Sequence, residues 1–381
     1  MITQRITRKT VLFALALAAL AASFPATAFA EVEDWQKGAT IRSYSPDAFA
    51  SEPFRVALQE LADNDANFVT LALPWKQQDI RASEIYSEYN TPTEAALVDA
   101  IQYAHGLGLA VNLVPHLDTE DYTWRAYIEP ANTALWFQSY GQMLMNYARI
   151  AEQHGVEMLT IGTELVGVTV PENTDQWRDI IENIRSVYSG DLTYSSNWGG
   201  ADWAQEKDSI EFWDDLDYIG LAAYFYFEAP YTLDSLVTQW DEWDEEEIEP
   251  LSDEFDKPVL FTEVGYRSMD GALNAPWDWN VAAGQDQDEQ ALGYAALFEY
   301  WEDQDHFTGV HFWNWRTGSD PAFWTSADWA TEYTPQRKPA EEIMAEWFAE
   351  GAEDPNPWLS DRATQPTDTA TNAPPRAGGP R

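Results

Sequence analysis

A chain of 381 residues with 65 Asp and Glu against 21 Lys and Arg carries a formal charge of −44, and it contains no cysteine. A surface this negative repels nucleic acid and anionic lipid, and the missing thiols exclude disulfides, Cys-ligated zinc and iron–sulfur clusters. Aromatic residues make up 14% of the chain, which is ample material for a core and excludes disorder over most of its length.

The chain opens as a targeting segment. Arg5, Arg8 and Lys9 form a basic start, 11–22 is an apolar stretch, and Ala28-Phe29-Ala30 is a small-x-small cleavage site. That order is the pattern of a secretory signal, with cleavage expected after Ala30 and the product released or kept in the periplasm. The apolar stretch is too short to span a bilayer, so no membrane insertion is expected once it is removed. Residues 31–359 read as one domain, and 360–381, rich in Pro, Thr, Ala and Gly, as a disordered tail.

Within 31–359, short β-branched or apolar runs alternate with longer amphipathic stretches. Strands are expected at 39–44, 67–73, 109–115, 156–162, 192–197, 217–222, 258–262 and 308–313. Helices are expected at 54–64, 94–106, 135–154, 175–188, 233–246, 288–301 and 339–348. In 135–154, for example, Trp136, Tyr140, Met143, Leu144, Tyr147 and Ile150 follow a three-to-four spacing. Thr93-Glu94 and Thr174-Asp175 look like capped helix starts. Strand–helix alternation implies parallel strands with right-handed crossovers. Eight units argue for an α/β fold of the closed (β/α)8 TIM-barrel kind. An open sheet would usually carry a glycine-rich phosphate loop where this chain has Ser43-Tyr44-Ser45-Pro46. The long connections at 116–131, 223–231, 264–285 and 314–337 belong on the barrel's C-terminal face, where this fold does its chemistry.

Two carboxylates stand at the ends of apolar runs: Glu164 after strand 4 and Glu263 after strand 7. Those strands are not neighbours, so their tips face each other across the barrel mouth. Either Glu alone would more often be a solvated rim charge. As a pair, each preceded by Thr, they suit a glycosidic bond, where one carboxyl must be protonated and the other ionised. No Gly-x-Ser-x-Gly elbow, P-loop or dinucleotide fingerprint occurs. His116 near Asp118 could suggest a metal. The chain has only five His and neither His-x-His nor His-Glu-x-x-His, so no metal or other cofactor is expected.

Several segments resemble glycoside hydrolase family 113. Ile161-Gly162-Thr163-Glu164-Leu165 and Phe261-Thr262-Glu263-Val264-Gly265-Tyr266 resemble its two active-site segments. Leu113-Val114-Pro115-His116-Leu117-Asp118, Trp124-Arg125, Ala223-Tyr224, Gly309-Val310-His311-Phe312-Trp313 and Lys338-Pro339-Ala340 resemble further family segments. The resemblance implies a clan A barrel with endo-β-1,4-mannanase activity and a retaining mechanism, Glu164 being the acid/base and Glu263 the nucleophile. It implies that Tyr224 bonds the nucleophile. By position, Trp313 would form the floor under the sugar at the cleavage point. His116, Asn197 and Trp198 would be sugar contacts, Arg125 is grouped with them, and Trp75, Trp124, Trp277 and Trp279 would be subsite platforms. Most clan A barrels carry Asn before the acid/base; this chain has Thr163, as family 113 does. The first strand and the loop bearing Trp277 and Trp279 are less like the family, which leaves the exact sugar open. The competing readings are an exo-acting β-glycosidase on short oligosaccharides and a non-catalytic carbohydrate-binding barrel. The partner expected is an oligo- or polysaccharide, and the protein is expected to be a monomer.

The acidic composition reads as adaptation to a saline medium. Removing the leader's three cations takes the formal charge from −44 to about −47, and such self-repulsion weakens the compact state. Salt relieves it, because the screening length falls from about 10 Å at 0.1 M to about 3 Å at 1 M. The melting temperature should therefore rise between low salt and about 1 M NaCl, with activity maintained. A flat or falling melting curve across that series would remove the saline reading.

Overall fold

Eight short strands, each apolar on the side that meets a helix, pair in parallel and close on themselves. In the computed structural model, which describes residues 35–199, 206–318 and 322–349, these are β1 (Gln36–Arg42), β2 (Phe68–Gln77), β3 (Ala110–Thr119), β4 (Met158–Thr163), β5 (Asp191–Asn197), β6 (Tyr218–Ala222), β7 (Val259–Val264) and β8 (Phe307–Phe312). Each pairs with the next, and β1 pairs with both β2 and β8, so the sheet has become a barrel. The expected signal (1–30) and tail (360–381) lie outside the described residues. Among the described residues no helix is long and apolar enough to cross a membrane.

All eight expected strands are present, with shifted ends. β2 and β3 run further than their apolar cores and stay in register from Phe68 opposite Ala110 to Gln77 opposite Thr119. The added residues include Lys76, Gln77 and Thr119, all buried. Their polarity hides the continuation in the sequence. Gln77 is satisfied by the Trp136 indole at 2.9 Å. A two-residue antiparallel strand, Tyr86–Ser87, adds to the end of β2. Both of its residues are exposed, so it leaves no hydrophobic pattern to detect.

The helices form the outer layer. They are α1 (Glu52–Asp63), α2 (Glu94–Gly106), α3 (Thr133–His154), α4 (Thr174–Arg185), α5 (Leu233–Trp243), α6 (Glu249–Phe255), α7 (Gln287–Trp301) and α8 (Pro339–Phe348). Ser51, Thr93, Asn132, Thr232 and Asp286 each accept a backbone N–H in the first turn of the helix that follows, which satisfies a donor the helix leaves free. The helix expected over 233–246 enters a π turn at Asp244–Ile248 and continues as α6. The acidic run there is not wholly solvated. Asp244 is buried and accepts hydrogen bonds from the Tyr300 hydroxyl and the His306 ring, each at 2.9 Å. Among the described residues, the connection between β5 and β6 carries the four-residue helix Glu206–Ser209 and a 3-10 turn at Trp213–Asp215.

Trp136, Trp177, Trp213, Trp240 and Trp301 are fully buried. The barrel interior is different, a ladder of neutral polar groups. Gln36 and Thr70 meet the two ring nitrogens of His311 at 3.1 and 2.6 Å, Asn112 donates to Thr70, and Thr160 to Asn112. Burial pushes His311 down to about 3, so the ring is neutral and the ladder carries no net charge.

Closure between β8 and β1 depends on Gly309. Its φ is +138°, and a Cβ there would lie 2.2 Å from the Gln36 carbonyl oxygen. Gly309→Ala should lower the unfolding free energy by about 2 kcal/mol or more. Gly106→Ala, where an added Cβ meets nothing, should be neutral or slightly stabilising. Urea unfolding of the two variants checks this, and equal stabilities would contradict a tight seam.

Candidate active site

The mouth is built from residues at and just beyond the C-terminal ends of the strands. Glu164 follows β4, and its own N–H bonds the Ser195 carbonyl of β5 at 2.9 Å. Its carboxylate accepts three hydrogen bonds. Asn197 Nδ2 donates to one oxygen at 3.2 Å, and Trp124 Nε1 and Arg125 Nη1 donate to the other, each at 3.1 Å. Arg125 also grips Asp118, with Nη2 at 2.7 Å and Nε at 3.2 Å from Oδ1, and Arg42 reaches the other Asp118 oxygen at 3.2 Å.

Burial works to raise the Asp118 carboxyl, but Arg125, His116 and Arg42 outweigh it and hold Asp118 well below the ordinary range. For His116, burial and then the Arg125 charge push the ring down to about 4, so it is a neutral imidazole at working pH. Its ring lies parallel to that of Trp313, with centroids 6.1 Å apart.

Glu263 lies on β7 opposite Ala222 and accepts the Tyr224 hydroxyl at 2.5 Å. Burial, then the Glu164 charge, push its carboxyl up to about 7, while Tyr224, Arg125 and Arg42 oppose them. The ladders slip around both glutamates: between Thr160 and Thr163 on β4, between Leu221 and Ala222 on β6, and between Phe261 and Val264 on β7. Bulges of this kind re-aim side chains at barrel rims.

The structure brings Glu164, Glu263, His116, Trp124, Arg125, Asn197, Tyr224 and Trp313 into one neighbourhood. It sorts the other expected residues differently. Trp75 Nε1 donates to the Tyr147 hydroxyl of α3 at 2.8 Å, which places the ring in the helix layer. Trp198 is buried among Phe225, Tyr226, Trp243 and Trp277, and Trp277 stacks on it at 5.4 Å, half exposed. Trp279 is well exposed on the same loop. Asn197 and Arg125 meet Glu164 itself. The guanidinium is occupied by Asp118, Glu164 and the Leu117 carbonyl, which makes it a brace for carboxylates.

Arg42 and Glu206 were missed. Arg42 had the same signal as the glutamates, a charge closing an apolar strand. Glu206 had none, because it lies beyond β5 in a stretch without periodicity. Among the described residues no group of three or more His, Asp or Glu side chains could hold a metal ion.

The model of Glycoside Hydrolase Family 113 matches residues 43–350. No curated protein matches the chain. Among solved structures, a family 113 β-1,4-mannanase superposes with a TM-score of 0.72 at 28% identity, covering 83% of this chain and 99% of that one. A family 113 β-mannanase from Alicyclobacillus acidocaldarius gives 0.72 at 27%, covering 83% and 97%. A β-glucuronidase from Ruminococcus gnavus gives 0.54 at 13%, covering 83% and 50%, a likeness of fold alone.

The Tyr224 bond favours the charged form of Glu263, so deleting it must favour the proton. Tyr224→Phe should raise the Glu263 titration above its value of about 7, with proton binding about tenfold tighter. The carboxylic C=O band lost in Glu263→Gln reports this in infrared difference spectra. A midpoint that stays or falls would show that the bond does not hold the anion.

Proposed function

Given that the chain belongs to glycoside hydrolase family 113, we propose that it is an exported, retaining endo-β-1,4-mannanase. Glu263 is its nucleophile and Glu164 its acid/base, and residues 31–359 form its single catalytic domain. The observation that carries this reading is the unequal clothing of the two carboxyls. Glu263 takes one short bond from Tyr224, which aims an oxygen, while Glu164 is cradled by three donors beside it.

In the first step a Glu263 oxygen attacks the anomeric carbon as the glycosidic C–O bond breaks, and the Glu164 proton passes to the leaving oxygen. In the second, Glu164 takes a proton from water as that water's oxygen attacks the same carbon and Glu263 is released. The state of Glu263 depends on the charge of its partner. The Glu164 charge is the second-largest influence raising Glu263. When Glu164 holds the proton that influence vanishes, and Tyr224, Arg125 and Arg42 are left to favour the Glu263 anion.

Action within a long chain is supported by the rim. The exposed rings of Tyr86, Tyr89, Tyr122, Trp277 and Trp279 all stand on connections that follow barrel strands. Aromatic faces on several sides of a mouth suit an extended polysaccharide, whose C–H faces stack on rings. The family 113 β-1,4-mannanases of known structure support mannan as that chain.

The test is incubation of the mature protein with β-1,4-mannan, glucomannan and defined oligosaccharides. A spread of internal-cleavage products with the β-anomer formed first is expected; single-sugar release or an inverted anomer would overturn the reading. Glu263→Ala should abolish turnover of every glycoside. Glu164→Ala should lose about 10²–10⁴-fold on unactivated mannan and far less on aryl glycosides that need no protonation, with azide restoring turnover as a β-glycosyl azide. Equal losses on both substrate classes would count against Glu164 as acid/base.

A further inference from the structure

One buried carboxylate beside the mouth has no part in the scheme above. Glu206 begins the short helix Glu206–Ser209 and is 2% exposed. Among the described residues no cation pairs with it, and the adjacent Lys207 is committed to Asp208 and Glu247, each at 2.7 Å. Three donors converge on Glu206 instead. The Tyr194 hydroxyl at 2.6 Å and the Thr169 hydroxyl at 3.0 Å reach one oxygen, and the Asn197 backbone N–H reaches the other at 2.6 Å. Burial pushes this carboxyl up to about 7, against the pull of those bonds. A buried carboxylate without a cation is a costly way to tie a loop, since neutral acceptors can serve the same donors.

What the three donors have in common is Glu164. The Tyr194 hydroxyl accepts the N–H of Leu165 at 2.7 Å, and Leu165 follows Glu164, whose backbone is left-handed with φ of 50°. Asn197, held by its backbone, presents its side-chain amide to Glu164. Thr169 lies on the same connection as Leu165. Glu206 thus fastens the chain on both sides of the Glu164 carboxyl, the exit of β4 through Tyr194 and Thr169 and the exit of β5 through Asn197. Asn197 meets one Glu164 oxygen, and Arg125, which also holds Asp118, meets the other.

We propose that Glu206 is a positioning residue for proton transfer: through Tyr194, Thr169 and Asn197 it sets where the Glu164 carboxyl meets the leaving oxygen. This rests on the reading of Glu164 as acid/base. A positioning role has a signature that a merely structural one lacks, because its loss is felt only where the leaving group needs a proton.

Glu206→Gln must turn an amide donor toward either the Asn197 N–H or the two hydroxyls, while Tyr194→Phe cuts the Leu165 link and keeps the carboxylate. In both variants kcat/KM on β-1,4-mannotetraose should fall about 10–100-fold, chiefly through kcat, while kcat/KM on dinitrophenyl β-mannobioside should change less than about threefold. Azide should accelerate turnover of the dinitrophenyl substrate, because general-base attack by water is slowed as well. Equal losses on the two substrates in a folded variant, or no loss on either, overturns the proposal. If Glu206→Gln does not fold, Tyr194→Phe and Thr169→Val decide by the same comparison. Glu164→Ala, run in parallel, separates the two ideas. Leaving-group dependence there but not in the Glu206 variants overturns this inference alone, whereas its absence in Glu164→Ala overturns the acid/base assignment and this inference with it.

Discussion

The Arg125 guanidinium enters a mouth lined by Asp118, Glu164 and Glu263, in a chain whose formal charge is −44. Its planar fork is spent in two directions, Nε and Nη2 on Asp118 and Nη1 on Glu164. A lysine could supply the charge but not the two fixed directions. Without Arg125, Asp118 and Glu263 would each lose a charge that favours the ionised form, and Arg42 would remain to oppose the burial of both. The brace is itself anchored. Arg125 lies in the turn Arg125–Tyr127, and the neighbouring Ala126 carbonyl accepts the Gly167 N–H at 3.0 Å, which ties the connection after β3 to the one after β4. The connection that carries Arg125 and the one that follows Glu164 are therefore held against each other by a backbone bond.

Because these ion pairs are largely enclosed, salt acts on them differently from the surface. Exposed acids repel over distances that mobile ions screen, while buried pairs are screened much less. A saline medium can thus quieten the surface and leave the mouth's charge pattern in place. Within that cluster His116, in contact with Arg125 and Asp118, is itself neutral and lies parallel to Trp313.

Strand number and order were legible because each strand is a short apolar run between turn signals, and α2 was legible end to end because Thr93 caps it. The two glutamates were legible because strand ends are where this fold places chemistry. Aromatic residues were harder, since a tryptophan at a strand end does not announce which face it occupies. Trp75 shows how alternation could have settled the matter. Leu71 and Leu73 pack into the core, whereas Thr70 meets His311 inside the barrel. Trp75 shares the parity of the leucines and so faces the helices. By the same rule Asn112, His116 and Asp118 share one face of β3, and Thr40 and Arg42 one face of β1. Glu206 obeys no such rule, because its position depends on contacts brought from two different connections.

Alternation fails, however, at Glu164. Counted from Thr160, which points inward to Asn112, Gly162 should also point inward. A Cβ on Gly162 would instead lie 2.6 Å from the Tyr194 ring and 3.0 Å from the Tyr140 hydroxyl, on the helix side. The ladder slips between Thr160 and Thr163, so the strand's facing is reversed before Glu164 is reached. A left-handed backbone at Glu164 then restores its side chain to the mouth. That conformation is uncommon for a residue with a side chain and must be imposed from outside. The Ser195 carbonyl takes the N–H of Glu164, and Tyr194 takes the N–H of Leu165. Both anchors belong to β5, so the aim of a carboxyl carried by β4 is decided by its neighbouring strand. A reading of strand ends can find the residue, but its orientation is a tertiary property, held by bonds that exist only once the barrel has closed.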